Sequence, residues 1–255
     1  MVGGPARLTA PAAAVAERLP GWATLVRAPN PGPMTLDGTN TWVLRAAPGA
    51  PATVVDPGPR DAGHLAAILA TGPVAHVLVT HGHHDHVDGL ADFLASSGAR
   101  VVDGGALDGV EVTPLATPGH TADSRCYLLA AAGERAVATG DTILGRGTTV
   151  VAHPDGDLGA YLASLELLTA YAGVPALTGH GPPLADTAAA AAHYLAHRRA
   201  RLDQVRAVVA AGADTAAAVV DAVYADLPPH LRTAATWSAR AQLDFLAAER
   251  GGPAR

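Results

Sequence analysis

Along the first two thirds of the chain, short apolar runs alternate with polar and turn-forming stretches. Residues 21–28 and 40–46 read as two strands around a 29–39 loop rich in Pro and Gly. Thr53, Val54 and Val55 form a third strand, closed by the turn signal Asp56-Pro57-Gly58. Asp61 is placed to cap a helix running to about Ala70. Val74 to Val79 reads as a buried strand, and a helix follows across Leu90, Phe93 and Leu94. Further strands are expected at 101–102, 110–115, 125–130, 135–139, 148–151 and 175–178. Between the last two, residues 158–171 form an amphipathic helix. Its stripe of Leu158, Tyr161, Leu162, Leu165 and Leu168 is a core face. After Pro182-Pro183 the strand signals stop. A helix is predicted from about Ala185 to Ala211, a second capped by Thr215, and a third from about Leu231 to Glu249. The pattern is mixed α/β. It divides into a loose arm at 1–20, an α/β body at 21–184 and a helical segment at 185–255.

Several strand ends carry metal-ligand residue types. One short loop reads Thr80-His81-Gly82-His83-His84-Asp85-His86, and three later runs end at His120, Asp141 and His180, each next to Gly. Imidazole nitrogen and carboxylate oxygen suit zinc, and catalytic sites keep one position open for water. His81 and His83 alternate, so in extended backbone they project the same way. One ion could take His81, His83 and His120, and a second Asp85, His86 and His180. Asp141 could give an oxygen to each. Two ions about 3.5–4 Å apart can together support a hydrolytic displacement. Taken singly, each of these histidines would more often be structural. Four ligand types within six positions after a buried strand are hard to explain that way. No thiolate belongs to the set, which favours hydrolysis over redox or iron–sulfur chemistry. Zn2+, one or two per chain, is the expected cofactor, and Mn2+ or Fe2+ also fit the ligands. Asp85 is the expected catalytic group. Asn40 and His153 are candidate substrate contacts, while His84 should point away and His64, His193 and His230 should lie on the surface.

Composition narrows the class. The 255 residues are 49% hydrophobic, enough for a sizeable core, and only 16% charged. A net charge of −6 gives no global attraction to nucleic acid. The single cysteine, Cys126, excludes an internal disulfide, reads as a buried bystander and fits a reducing cytosol. The amino-terminal stretch has no long apolar segment, so neither a signal peptide nor a membrane span is expected. A cytoplasmic location follows as the expectation.

The Thr-His-x-His-x-Asp-His cluster, with His120, Asp141 and His180 after it in that order, resembles the metallo-β-lactamase-fold hydrolase superfamily over about residues 20–185. A narrower resemblance is to β-lactamase-like protein 2 and its bacterial relatives. It rests on residues 30–42 (Asn30 to Trp42), on Thr117 to Ser124, on Gly179-His180-Gly181-Pro182 and on His197 to Gln204. Asp88-Gly89 departs from the Gly-Gly of many members, and an acidic residue suits a helix start there. The resemblance implies a four-layered αβ/βα sandwich with a small winged-helix-like carboxy-terminal part, and any wing here must be minimal. It implies that the 29–39 loop overhangs the metals and that Asp56 supports the metal loop from behind. It also implies an endoribonuclease or, as in some fungal relatives, a thioesterase acting on carrier-protein-bound polyketides.

The favoured reading is a metal-dependent hydrolase directing hydroxide at a small-molecule ester or thioester. The alternative is an endoribonuclease on single-stranded RNA. Arg198, Arg199, Arg201 and Arg206 are its one basic cluster, few aromatics accompany them for base stacking, and a solvated or packing face explains them as well. A non-catalytic metal-binding protein is a minor third reading. Lactamase action ranks low, because the resembled β-lactamases lack an Asp such as Asp141. The partner is a small-molecule substrate, with no membrane, and a dimer through the apolar carboxy-terminal helices stays open.

Overall fold

The structure is a computed structural model and describes residues 11–251. Two five-stranded sheets face each other. The first holds β1 (Ala23–Arg27), β2 (Asn40–Leu44), β3 (Ala52–Val55), β4 (Val74–Leu78) and β5 (Arg100–Val101) in that order. The second runs β10 (Ala176–Thr178), β9 (Glu134–Gly140), β8 (Arg125–Ala131), β7 (Val110–Ala116) and β6 (Gly105–Leu107). Pairing is antiparallel across β1, β2 and β3 and from β6 to β9. It is parallel for β3–β4, β4–β5 and β9–β10.

The period of two explains the layers. Trp42 and Leu44 on β2 point into the space between the sheets with Val55, Leu78, Val112, Tyr127, Leu129, Ala136 and Ala138. Val43 points the other way and joins Val54 and Val77 under α1 (Ala62–Leu69) and α3 (Leu90–Ser97), where Ile68 and Phe93 are fully buried. On the second sheet Val137 and Cys126 face outward beneath α4 (Leu158–Leu168) and α5 (Thr187–Ala210). The result is the four-layered αβ/βα sandwich. Asp61, Asp157 and Asp186 each accept a backbone N–H at the start of α1, α4 and α5, which satisfies donors a helix leaves orphaned.

α5, α6 (Ala216–Val223) and α7 (Arg232–Glu249) pack together around Leu202, Val205, Val219, Val220, Ala239 and Leu246. Leu158 of α4 belongs to the same cluster, so α4 is shared between the body and the helical segment. Thr215 caps α6 by accepting from Ala218 N–H, as expected. Among the described residues this segment contains no strand, hence no wing. Of the stretch read as a loose arm, residues 1–10 lie outside the described residues. Val15 forms a bridge with Leu184, and Ala16 N–H donates to Pro183.

Two readings are corrected and one strand is added. Residues 148–151 form no strand. The Thr149 and Val150 carbonyls instead accept from side chains, which takes them out of any ladder. β6 was missed because it is a three-residue edge strand that follows Gly104 and opens on Gly105. His64 is buried rather than on the surface, its Nε2 2.9 Å from Thr41 Oγ1.

Candidate metal centre

All seven predicted ligand residues gather at one end of the sandwich. Donor atoms of His81, His83, His120 and Asp141 lie within 4.8 Å of one another, and so do those of Asp85, His86 and His180. The chain reaches them from the two sheets. β4 leads into the His81–His86 loop, β9 into Asp141 and β10 into His180. His83 precedes the short helix α2 (His84–Val87), which carries Asp85 and His86 to the His180 side of the cluster. His84 points outward and pairs with Asp88, as expected. Close approach explains two of the glycines beside the ligands. A Cβ on Gly179 would stand 2.5 Å from Asp141 Oδ1, and Gly119 has φ +134 with its Cβ position 2.4 Å from the Tyr161 backbone nitrogen.

The donor geometry fits divalent ions. Ligands arranged tetrahedrally at 2.0–2.1 Å from an ion stand about 3.3–3.4 Å from each other. Here His86 Nε2 is 3.3 Å from His180 Nε2 and 3.4 Å from Asp85 Oδ2, and His180 Nε2 is 3.2 Å from Asp85 Oδ2. In the other group His83 Nδ1 is 3.0 Å from His81 Nε2 and 3.1 Å from His120 Nε2. Asp141 stands between them, with Oδ1 3.5 Å from His86 Nε2 and Oδ2 3.7 Å from His120 Nε2. Its Oδ1 is buried with no hydrogen-bond partner. An orphaned buried carboxylate oxygen is costly unless a cation completes it, so the residues present fit a pair of divalent ions.

The far side of each imidazole fixes which nitrogen is free. His120 Nδ1 donates to the Val150 carbonyl at 2.7 Å, His86 Nδ1 to Asp56 Oδ2 at 2.9 Å, and His180 Nδ1 to the Gly38 carbonyl at 3.3 Å. His81 Nδ1 lies 3.0 Å from Thr80 Oγ1, which itself donates to Asp56 Oδ2, so the hydroxyl accepts from the ring. Nε2 of each of these four rings is therefore the nitrogen aimed at the cluster, a common outer arrangement of metal sites. Asp56 also accepts from Thr80 N–H, tying His81 and His86 to one buried carboxylate. The support read for Asp56 is thus visible in its contacts.

Electrostatics divide the histidines. Burial, reinforced by neighbouring imidazoles, pushes His81 down to about 2 and lowers His120, so both rings are neutral. Burial also opposes protonation of His86 and His180, but nearby carboxylates outweigh it. Asp141 and Asp56 raise His86, and Asp141 with Asp85 lifts His180 to about 9. Burial would raise the Asp85 carboxyl, yet the His180 hydrogen bond and the His86 charge hold it well below the usual range. Thr39 Oγ1 donates to Asp85 Oδ2 at 2.8 Å. The Asp85 side chain is 27% exposed while His86 is 0% exposed, so solutes reach the cluster from the Asp85 and His83 side.

The two candidate substrate contacts are placed elsewhere. Asn40 is buried, donating to the Thr178 and Gly181 carbonyls while accepting from Arg27. That network clamps the His180 turn and leaves its side chain no free polar atom. His153 faces Asp244 of α7 at 2.9 Å rather than the cluster. Sequence reasoning missed Thr39, Thr80 and the Gly38 and Val150 carbonyls. Only Thr80, adjacent to His81, carried a positional signal. Cys126 is buried as expected and pushed up to about 11 by burial, so it supplies no thiolate. The arginine cluster is spent internally: Arg198 on the Thr149 carbonyl, Arg199 on Glu166, Arg201 on Gln204 and the Val223 carbonyl, Arg206 on Asp203 and Glu249. No helix among the described residues is long and apolar enough to cross a membrane.

Two facing sheets with flanking helices carry at one end a histidine–aspartate cluster suited to divalent ions. The chain belongs to the metallo-β-lactamase superfamily. The superfamily's model matches residues 34–102. The chain is 33% identical to the β-lactamase-like protein 2 homolog of Caenorhabditis elegans, over 86% of this chain and 82% of that protein. It is 32% identical to the atrochrysone carboxyl ACP thioesterase of Aspergillus chevalieri, over 80% and 73%. Lactamase-like protein nscB of Neosartorya fischeri is 30% identical over 71% of this chain, which spans 59% of nscB. A β-lactamase domain protein from Burkholderia ambifaria shares the fold, with TM-score 0.73 and 23% identity over 92% of this chain and 91% of that one.

Proposed function

We propose that the protein is a dinuclear metal-dependent hydrolase of a small-molecule thioester or ester. The observation that carries the reading is the buried, unpartnered Asp141 Oδ1 between two converging donor groups. His81, His83 and His120 would hold one ion, Asp85, His86 and His180 the other, and Asp141 both. Zinc fits the nitrogen-rich set best, and Mn2+ or Fe2+ are compatible with it. Bound there, such ions lower the pKa of water toward about 7 and polarise a carbonyl oxygen.

The chain's own residues do the rest. Asp85 remains an anion at neutral pH and sits at the solvent-facing edge of the cluster. Its carboxylate would orient an attacking water and hold the proton that leaves it, while Oδ2 is anchored within the cluster. Thr39 fixes the carboxylate by donating to the same oxygen. His81 and His120 stay neutral, so they bring no competing protons. A relative named as a carboxyl ACP thioesterase supports the thioester class. The internal pairing of Arg198, Arg199, Arg201 and Arg206 leaves few free cations for the phosphates an RNA substrate would present.

The test uses one metal-quantified preparation offered acyl thioesters and single-stranded RNA, each with and without chelator. Thioester turnover that chelator abolishes is the expected result. RNA cleavage with inert thioesters would replace the substrate assignment.

A further inference from the structure

Three side chains from the outer helices grip the loop between Asp141 and Val150 from behind. Tyr161 Oη donates to the Thr142 carbonyl at 2.7 Å, the Leu144 N–H donates to Tyr194 Oη at 3.1 Å, and Arg198 donates to the Thr149 carbonyl. Arg198 is the unusual member. Its side chain is almost fully buried at 6% exposure, with no carboxylate partner, and its guanidinium lies over the Tyr161 ring at 5.2 Å. A buried guanidinium held by one carbonyl and one aromatic face is costly, so its position calls for a purpose. The Thr149 carbonyl it holds belongs to the peptide that leads into Val150. The Val150 carbonyl accepts from His120 Nδ1 at 2.7 Å, and Thr149 Oγ1 donates to the Asp141 carbonyl.

We infer that Arg198 is a positioning residue: from α5 it fixes the Thr149 carbonyl and so the placement of Val150, whose own carbonyl orients the His120 imidazole toward the His81–His83 group. The inference rests on the metal-site reading above. Arg198 touches neither substrate nor ion. It acts through two successive peptides on one ligand, and this links the helical segment to the site. It also explains why residues 148–151 are not a strand, since their carbonyls are already committed to Arg198 and His120. Arg199, one residue on, pairs with Glu166 on the surface and is the natural control.

The experiment is a zinc titration of the metal-free full chain, read by stoichiometry and affinity, for wild type, Arg198→Met, Arg199→Met, His120→Ala and the Arg198→Met/His120→Ala double variant. Outer-shell partners of metal ligands are worth about 10–100-fold in affinity. Arg198→Met should weaken one of the two ions about tenfold, and Arg199→Met should match wild type. In the double variant Arg198→Met should add nothing to His120→Ala, because both act on one path. A loss that adds fully to that of His120→Ala, or no loss in Arg198→Met, overturns the inference. If the methionine variant does not fold, Arg198→Lys enters the same cycle and must show the same non-additivity at smaller amplitude. Wild type that binds no zinc would instead overturn the metal-site reading, so the two failures are distinguishable.

Discussion

Asp56 sits at a left-handed φ of +51 and accepts from Thr80 N–H, Thr80 Oγ1 and His86 Nδ1. Asn tolerates that backbone region better than most residues, so Asp56→Asn should fold yet lose the anion that orders two ligands. A loss of about 10–100-fold in metal affinity is expected, measured by competition with a coloured chelator. Asp85→Asn should keep the fold while turnover falls about 10²–10⁴-fold, the usual worth of a positioned proton acceptor. At this scale the sequence was highly legible. The seven ligand types could be read because their chemistry is scarce and their spacing tight. Asn40 and His153 could not be placed, because a polar side chain near a strand end serves packing or substrate equally well until its partners are seen. In both cases the partners lie in distant elements, Thr178 and Gly181 for Asn40 and Asp244 for His153.

Among the elements, α5 carries more than its helical pattern implies. His197, partly buried on it, is pushed down to about 4, first by burial and then by Arg198, Arg201 and His193. Its ordinary value is near 6.5, so the unfolded chain binds this proton more readily than the folded one. Stability from this group is therefore complete above pH 6.5 and is lost as pH falls toward 4. Allowing for solvent screening, the loss is on the order of 1–2 kcal/mol. Denaturant midpoints at pH 7 and pH 4.5 should differ more for wild type than for His197→Gln, and equal differences would count against this assignment. The strands and helices were legible from period and caps, as Asp61 and Thr215 show. The 148–151 run was misread because β-branched residues suit a strand whether or not their backbone groups are free to pair. The short β6 escaped because tertiary pairing with β7, not local preference, makes it a strand.

On the scale of the whole molecule, α4 joins the sandwich to the helical segment. Tyr161 and Leu165 pack under the second sheet, while Leu158 joins Leu202 and Val205. Leu202→Ala, which opens space in that shared cluster, should cost about 2–4 kcal/mol. If body and helical segment unfold together, a single transition moves to lower denaturant, and two separated transitions would show that they unfold independently. Metal couples to the same equilibrium. An ion present at about a hundred times its Kd adds about 2.7 kcal/mol to stability, so chelation should lower Tm, and His83→Ala should lose that dependence for one ion. The central claim is that this cluster hydrolyses a small acyl substrate through its bound metals and Asp85. The most direct measurement is acyl-thioester turnover by metal-quantified wild type, Asp85→Asn and His83→Ala, before and after chelation and metal restoration. The account predicts turnover in wild type alone, lost with chelator and regained with metal. Full turnover in both variants, or in the chelated protein, would contradict it.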